Sequence, residues 1–325
     1  MTDAVASLRA PDLRAPGPGG SGPVRAAAGV APGPSCCRIS GPRTMARGGP
    51  LDPREAAWRP DLADVALAGV VAVPSYARPA MMQVAALSAP LFASPDHGAP
   101  MASELLHGEG FALLDCDGDF AWGYGLHDHY VGYVPAAALA PAGPAAGTES
   151  RIGPGDGLLF AGPSIKAPVV AVLPVGAVLR WRPHDTGFVE LVAGPHAGAF
   201  LHRRHLAPAE ADWVEVASQF VGAPYRWGGR TRAGVDCSGL VQAARLVAGF
   251  SCRRDSDMQA ADAEPVAAAP RRGDLACWPG HIGVMVDSDR LLHANAYWMR
   301  CLVEPLADVA ARAGGPPEMK RPRRA

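Results

Sequence analysis

Cys237 is the residue of this chain with the clearest potential for chemistry. It lies in the segment Asp236-Cys237-Ser238-Gly239-Leu240, which follows a turn-rich stretch of Pro and paired Gly. The apolar residues that predict a helix beginning at the cysteine are Leu240, Val241, Ala244, Leu246 and Val247. Asp236 and Ser238 can cap this helix, whose free N–H groups and dipole favour a nucleophilic thiolate. A buried structural cysteine is the alternative interpretation.

Two downstream histidines could complete a cysteine hydrolase site. His281 and His293 lie on consecutive predicted strands of a hairpin, with Asp287-Ser288-Asp289 as the turn. His281 would take the thiol proton, and His293 would hold His281 in one tautomer. Histidines on strands are more often packed or surface residues, and a zinc site built from the same three side chains is a further alternative. Since no spaced Cys or His pair supports zinc, we expect no metal and no cofactor.

The composition limits the classes of partner and the compartment. The chain has 325 residues, with 30 basic and 31 acidic side chains, so no overall field attracts nucleic acid or an anionic membrane. Seven cysteines without a framework spacing are not typical of a disulfide scaffold and fit a reducing compartment. The sequence shows neither a transmembrane run nor a secretory signal. We therefore expect a cytoplasmic protein with no nucleic-acid or membrane partner.

The N-terminal quarter of the chain divides into a leader and an arm. Residues 1–50 are rich in Ala, Pro, Gly and Arg without periodicity, which predicts a disordered leader. Met45 lies inside this leader and is our expected natural start. Residues 51–79 are predicted to form a helix and an extended arm, from the apolar positions Leu62, Val65, Ala66, Leu67, Val70 and Val71.

Short apolar runs separated by Gly, Pro and Asp follow and predict two small β-barrels, at 80–142 and 150–208. The second region repeats the first at an offset of about 67 residues. For example, Leu91-Phe92 corresponds to Leu159-Phe160. In this repeat Tyr133-Val134 of the first barrel corresponds to Ala199-Phe200 of the second. Because the residues differ, we expect the second barrel to pack against the rest of the protein and not to contact substrate. Residues 142–150 form the predicted linker.

Residues 209–325 have the pattern of an α+β domain. A helix with one apolar face is predicted before Gly222, followed by the helix of Cys237 and then by strands around His281 and His293. The tail beyond Gly314 is basic and Pro-rich and is expected to be loose at its end.

Six ordered motifs resemble the NlpC-type cysteine peptidases of bacterial cell-wall metabolism. They are Pro224-Tyr225-x-Trp227-Gly228-Gly229, Asp236-Cys237-Ser238-Gly239-Leu240, Arg254-Asp255-Ser256, Gly273-Asp274-Leu275, His281-Ile282-Gly283-Val284 and Leu292-His293-Ala294. The preceding barrels are similar to the bacterial SH3-like domains in the branch of γ-D-glutamyl-L-diamino acid endopeptidases. The resemblance implies a papain-like domain with Cys237 as nucleophile, His281 as base and His293 as third member.

The same resemblance implies a set of substrate contacts. Asp255 would pair with the terminal ammonium of a murein peptide, although a helix-capping aspartate is an equal alternative. The first barrel would supply Tyr130 and an acid to the same amine. Glu104 is our choice for that acid, and Glu109 is its competitor. The residues expected near the γ-D-Glu unit and the oxyanion are Asp236, Ser238 and Tyr225.

These expectations combine into a cysteine peptidase that cleaves the γ-D-Glu–diamino acid bond of murein peptides with a free L-Ala, in peptide recycling. The peptide is then the expected partner. Two other functions stay open at this point. One is a wall-binding module without activity, and the other is an amidase or acyltransferase on the same papain-like core.

Overall fold

The computed structural model describes residues 51–143, 146–184 and 187–323. The predicted leader, with Met45, lies outside the described residues, as do residues 144 and 145 of the predicted linker. Among the described cysteines, Cys237, Cys252, Cys277 and Cys301 are free thiols. No helix within the described ranges combines the length and apolar character needed to cross a bilayer.

The arm is extended, so the predicted helix between Leu62 and Val71 is wrong. Strand β1 (Leu62–Asp64) pairs in parallel with β2 (Ser75–Ala77), and one 3-10 turn (Val65–Leu67) follows β1. Gly69 has a φ of 84°, which ends any helix there. Of the apolar residues at helical spacing, Val71 forms a small buried cluster with Ala63 and Val73, and Leu67 packs against it.

The first barrel region forms a seven-stranded sheet in the order β5-β4-β8-β7-β6-β3-β9. Its strands are β3 (Ala80–Val84), β4 (Ser88–Phe92), β5 (Met101–Leu106), β6 (Gly110–Asp117), β7 (Phe120–Gly125), β8 (Val131–Pro135) and β9 (Leu139–Pro141). A 3-10 turn (Ala136–Ala138) separates the last two. The buried core contains Leu91, Leu105, Phe111 and Val134, and Met258 from the C-terminal domain also packs there. The barrel and that domain therefore share apolar contacts.

The second barrel region has the corresponding strand order, β10-β13-β14-β15-β11-β12. Its strands are β10 (Thr148–Arg151), β11 (Gly157–Phe160), β12 (Val169–Leu173), β13 (Val178–Pro183), β14 (Phe188–Leu191) and β15 (Phe200–His202). A 3-10 turn (Arg203–His205) follows β15. Matching neighbours in the two sheets support the internal repeat. The match of Tyr133 to Ala199 is wrong by one residue, because Phe92 pairs with Tyr133 and Phe160 pairs with Phe200.

The C-terminal region packs helices on an antiparallel sheet in the order β18-β23-β19-β20-β21-β22. Its elements are α1 (Trp213–Ser218), β16 (Arg230–Thr231), β17 (Gly234–Val235), α2 (Cys237–Val247), α3 (Ser256–Asp262), β18 (Glu264–Pro265), β19 (Leu275–Trp278), β20 (His281–Met285), β21 (Arg290–Asn295), β22 (Arg300–Pro305), α4 (Leu306–Arg312) and β23 (Glu318–Arg321). Helix α2 is buried along its whole length and packs on β20 and β21. A central helix lying on an antiparallel sheet agrees with the predicted α+β class.

The basic tail is described as far as residue 323, and its predicted loose end, residues 324 and 325, lies outside the described residues. Residues Glu318–Arg321 form β23, which pairs with β19 in the centre of the sheet. Arg321 also donates to the buried carboxylate of Asp274 at 2.8 and 3.0 Å. The basic tail is held in place because Arg321 forms an ion pair with the buried Asp274 carboxylate.

Candidate active site

Cys237 is the first residue of α2 and lies where that helix meets β20. Asp236 caps the helix by accepting the N–H of Gly239 at 2.6 Å. A side chain at Gly239 would place Cβ 2.2 Å from the Gly229 carbonyl oxygen, so only glycine allows this close approach. The buried thiol lies within reach of the N–H of Ile282, the residue after His281. The fold therefore brings Cys237 to the strand that begins with the predicted base.

Burial controls the protonation of Cys237 and His281. Burial, with a smaller contribution from the Asp236 carboxylate, raises the pKa of Cys237 to about 12. Burial and the neighbouring His293 lower the pKa of His281 to about 3. Desolvation thus opposes the thiolate that the helix N–H groups favour, and it has the larger effect on the pKa of the thiol. A thiol and a neutral imidazole remain, and the proton must move as the thiol attacks.

His281 and His293 are joined by a hydrogen bond between adjacent strands. His281 Nε2 and His293 Nδ1 are 2.8 Å apart. The register Val284 to Leu292, continued by one pair, sets Gly283 opposite His293. A Cβ on Gly283 would lie 3.0 Å from that of His293, so the missing side chain leaves room for the two imidazoles to meet. The structure thus brings together the predicted base and its third member.

Glu304 extends this chain of side chains, and the sequence interpretation did not identify it. His293 is paired with Leu302 in the β21–β22 ladder, so Glu304 lies two residues further on the same face. Its Oε2 accepts from His293 Nε2 at 2.9 Å, while its Oε1 accepts from Trp298 Nε1 at 3.0 Å and Arg312 Nη2 at 2.7 Å. Burial opposes ionisation, but these hydrogen bonds outweigh it and lower the pKa of Glu304.

Two groups face His293 Nε2, namely Glu304 Oε2 at 2.9 Å and Asn295 Nδ2 at 3.0 Å. We assign the proton of His293 to Nε2 because the ionised Glu304 can only accept, and this assignment leaves a lone pair at Nδ1. His281 must then donate from Nε2, which leaves its Nδ1 as the basic nitrogen. Asn295 helps shape this end of the site, since its Oδ1 accepts the N–H of Trp298 at 2.9 Å. The arrangement performs the same task as the base and orienting carboxylate of a hydrolase triad.

The geometry does not suit a zinc ion shared by Cys237 and the two histidines. The facing nitrogens of His281 and His293 bond to each other rather than pointing at a common centre. In the described parts of the chain, no group of three or more His, Cys, Asp or Glu side chains is arranged to hold a metal ion.

Arg254 is the buried charge around which the predicted γ-D-Glu contacts are built. Its guanidinium donates to both carboxylate oxygens of Asp236, at 3.1 and 2.6 Å, and to Ser238 Oγ at 2.8 Å. Its Nε donates to Ser103 Oγ of the first barrel at 2.9 Å. Asp236 also accepts the N–H of Gly228, so it has a structural role. Contact of Asp236 and Ser238 with substrate stays a prediction.

We expect Arg254→Met to destabilise the protein by about 3 kcal/mol, because it leaves the buried Asp236 carboxylate without its counter-ion. Arg254 is 1% exposed, so solvent cannot replace the lost partner. The urea midpoint followed by circular dichroism measures the effect. Arg253→Met is the matched control, because the neighbouring Arg253 is partly exposed and pairs with Glu55 outside this cluster. Equal midpoints for the two variants would contradict the assignment.

Asp255 and Tyr130 meet across the boundary between the first barrel and the C-terminal domain. Tyr130 Oη donates to Asp255 Oδ2 at 2.9 Å. Asp255 is the residue before α3, but its side chain makes no capping hydrogen bond. Asp255 therefore occupies the N-cap position, but its carboxylate is directed to other partners. Burial raises the pKa of Asp255, against the opposing effects of Arg254, Tyr130 and Arg54.

Glu104 and Glu109 are both buried, and both bind arginines. Glu109 accepts from two nitrogens of the buried Arg230, at 2.8 and 2.9 Å, and from the N–H of Leu106. Glu104 accepts from the N–H of Arg230 at 2.8 Å and pairs with Arg226, a side chain that is 43% exposed. Among the described residues, neither acid has a hydrogen bond to Asp255 or Tyr130. The choice of Glu104 as an amine contact stays a prediction.

Tyr225 lies beside the nucleophile. Its N–H donates to the Met299 carbonyl at 2.9 Å, which ties the turn before α2 to the β21–β22 loop. Burial raises the pKa of Tyr225, and the negative charges of a Cys237 thiolate and of Asp236 add to this rise. The hydroxyl is therefore close enough to the sulfur to sense its charge. Its role at an oxyanion stays a prediction.

Two family models match the chain in the regions just described. The model described as "Bacterial dipeptidyl-peptidase Sh3 domain" matches residues 91–139, and the model of the NlpC/P60 family matches residues 222–304. They cover the first barrel and the part of the C-terminal domain from the turn before Tyr225 to Glu304.

Several named relatives are similar to this chain. Dipeptidyl-peptidase 6 of Lysinibacillus sphaericus is 25% identical over 65% of this chain and 86% of the relative. A probable endopeptidase of Corynebacterium glutamicum (strain R) is 30% identical over 49% of this chain and 78% of the relative. The γ-D-glutamyl-L-lysine dipeptidyl-peptidase of Bacillus subtilis (strain 168) is 30% identical, over 26% of this chain and 31% of its own length.

A solved structure shares the fold. An NlpC/P60 family protein from Bacillus cereus ATCC 10987 superposes with a TM-score of 0.64 and 17% identity, over 74% of this chain and 99% of that protein. The predicted fold class, a papain-like peptidase domain preceded by SH3-like barrels, is thereby confirmed. The order of motifs, the fold and the similarity to endopeptidases agree, and the chain is a peptidase that belongs to the NlpC/P60 family.

Proposed function

We propose that this peptidase hydrolyses the bond between γ-D-Glu and an L-diamino acid in murein peptides that carry a free N-terminal L-Ala. The observation that carries the proposal is the hydrogen bond of Tyr130 to Asp255, since it builds a partly buried anionic site from two domains. The names of the two dipeptidyl-peptidase relatives support the same specificity.

The anionic site accounts for selection of a free amino end. An ammonium group can donate to the Asp255 carboxylate, and Glu104 is the second acid that we assign to it. Tyr130, which donates to this carboxylate, is itself buried in the core of the first barrel, so the barrel borders the site on that side. A longer or acetylated end would clash, or would leave buried charge unpaired. Asp255 would therefore select peptides whose free amino end lies two residues before the bond to be cut.

The chemistry follows from the protonation states. Cys237 Sγ attacks the γ-carbonyl carbon of D-Glu as its proton moves to His281 Nδ1, and the new oxyanion is held by the Cys237 N–H and Tyr225 Oη. The C–N bond then breaks, and His281 gives the proton to the amine of the departing diamino acid. A water molecule next attacks the thioester while His281 takes its proton. The products are the free dipeptide acid and the regenerated thiol.

A cytoplasmic setting, in which the enzyme acts on peptides recycled from the wall, is part of this proposal. It is supported by Cys237, Cys252, Cys277 and Cys301, which are free thiols. A polymeric wall substrate would rarely present the free L-Ala that the Asp255 site selects.

We expect purified enzyme to cleave L-Ala-γ-D-Glu-diaminopimelate and to cleave the N-acetylated peptide at least about 100-fold less efficiently, because acetylation removes the charge that pairs with Asp255. Liquid chromatography of the released dipeptide gives kcat/KM for each peptide. Asp255→Asn is the matched control. It should bring the kcat/KM values of the free and the acetylated peptide closer together. Equal rates for the two peptides would contradict the assigned site, and turnover of acyl amides without turnover of the peptide would indicate an amidase.

A further inference from the structure

We propose that Arg54, in the N-terminal arm, is a positioning residue that holds Asp255 for the free amino end of the substrate. This inference rests on the proposed function, because it explains how the amine-binding carboxylate is oriented. It assigns a part of the specificity site to a segment 201 positions away in the sequence and outside both matched family regions.

The contact fixes one oxygen of the carboxylate. Arg54 Nη1 donates to Asp255 Oδ2 at 2.9 Å, and Tyr130 Oη donates to the same oxygen at 2.9 Å. Within residues 51–143, 146–184 and 187–323, no group donates to Oδ1. Two donors on one oxygen set the plane of the carboxylate and leave the other oxygen to accept from an ammonium.

Arg54 is itself held from three sides. Its guanidinium donates to Asp52 within the arm at 2.7 Å and to Asp257 at the start of α3 at 2.8 and 2.9 Å. Its backbone carbonyl accepts the N–H of Val131, the residue after Tyr130, at 2.8 Å. Arm, barrel and peptidase domain therefore meet at this one residue, which is the arrangement expected of a rigid support for a binding group.

The local charge still favours a cation. Three carboxylates, those of Asp52, Asp255 and Asp257, surround one guanidinium, which leaves the cluster two charges negative when all are ionised. Burial raises the pKa of Asp255, and Arg254, Tyr130 and Arg54 all oppose this rise. Without Arg54, the carboxylate would need a higher pH to ionise and would lose its fixed orientation.

The test compares Arg54→Gln and Arg54→Lys with Glu55→Gln in steady-state kinetics on L-Ala-γ-D-Glu-diaminopimelate. Glu55 is the next residue of the arm and binds Arg253, so its variant loosens the arm without touching Asp255. We expect Arg54→Gln to raise KM about tenfold with kcat nearly unchanged, the loss typical of one charge-assisted contact. Arg54→Lys should recover part of the loss, and Glu55→Gln should match wild type.

The pH profile separates positioning from a general loss of structure. Binding requires ionised Asp255 and is lost as the pH falls through its pKa, so the acidic limb of kcat/KM for Arg54→Gln should move up by at least about half a pH unit. If Arg54→Gln changes neither KM nor the acidic limb of kcat/KM, the inference is overturned. A lower KM in this variant would also overturn it, because it would show that Arg54 competes with the substrate amine. Failure of the wild-type enzyme to cleave the peptide would instead overturn the proposed function.

Discussion

Replacing Cys237 by Ala should reduce hydrolysis of L-Ala-γ-D-Glu-diaminopimelate by at least about 10⁴-fold, because no other group in the site can form the thioester. The thiol lies beside the N–H of Ile282 on the strand of His281, and its raised pKa means that it depends on that base for deprotonation. The peptide should still bind, since the substitution leaves Asp255 and Tyr130 in place.

Cys277→Ala is the matched control for this prediction. Cys277 is buried in the same apolar cluster as Cys237, and burial also raises its pKa, to about 11. It lies on β19, however, and has no hydrogen bond to either histidine among the described residues. Product formation should be close to wild type in this variant, while calorimetry reports binding in both. Comparable turnover by Cys237→Ala and wild type would refute the nucleophile.

The sequence predicted well those parts of the site that local patterns encode. The helix start at Cys237 follows from a capping acid and helical periodicity, and the strands of His281 and His293 follow from apolar runs around a turn. The repeat likewise predicted two similar sheets. Each of these features depends on residues that are neighbours in the chain.

The features that the sequence missed arise from long-range contacts. Arg54 meets Asp255 across 201 positions, and the arm forms two strands that pair with each other across a buried cluster of Ala63, Val71 and Val73. No periodicity encodes such a contact. The protonation of Cys237 was also missed, since the sequence contains the helix start but not the extent of burial. Tertiary context decided both outcomes.

Glu304 is intermediate between the features that local patterns encode and those that depend on long-range contacts. Its position beside His293 follows from a spacing of two residues once the register of β21 and β22 is known. An acid eleven positions after His293 has no obvious meaning in the sequence, but the ladder pairs His293 with Leu302 and so places Glu304 on its face. The hydrogen-bond order then assigns a proton to each nitrogen, which motif matching cannot do. This order makes Glu304 the residue whose chemistry can be tested most directly.

Glu304→Gln should lower kcat about 10³-fold with little change in KM, by reversing the tautomers of the two histidines. Trp298 donates to Oε1 alone, whereas Arg312 donates to both oxygens, so we expect the single carbonyl oxygen of Gln to face Trp298. The amide then donates to His293 Nε2. His293 would carry its proton on Nδ1 and donate to His281, whose remaining proton would lie on Nδ1, where the base must be free.

Nitrogen-15 NMR of the imidazoles distinguishes this mechanism from simple disruption, because the chemical shifts report which nitrogen is protonated. We expect wild-type His281 to be protonated at Nε2 and the variant at Nδ1, with a similar melting temperature. Glu318→Gln on β23 is the control, since that exposed acid pairs with Lys320. A variant that keeps more than about a tenth of kcat would show that His281 is oriented without Glu304, and that the thiol proton reaches it whichever tautomer His293 adopts.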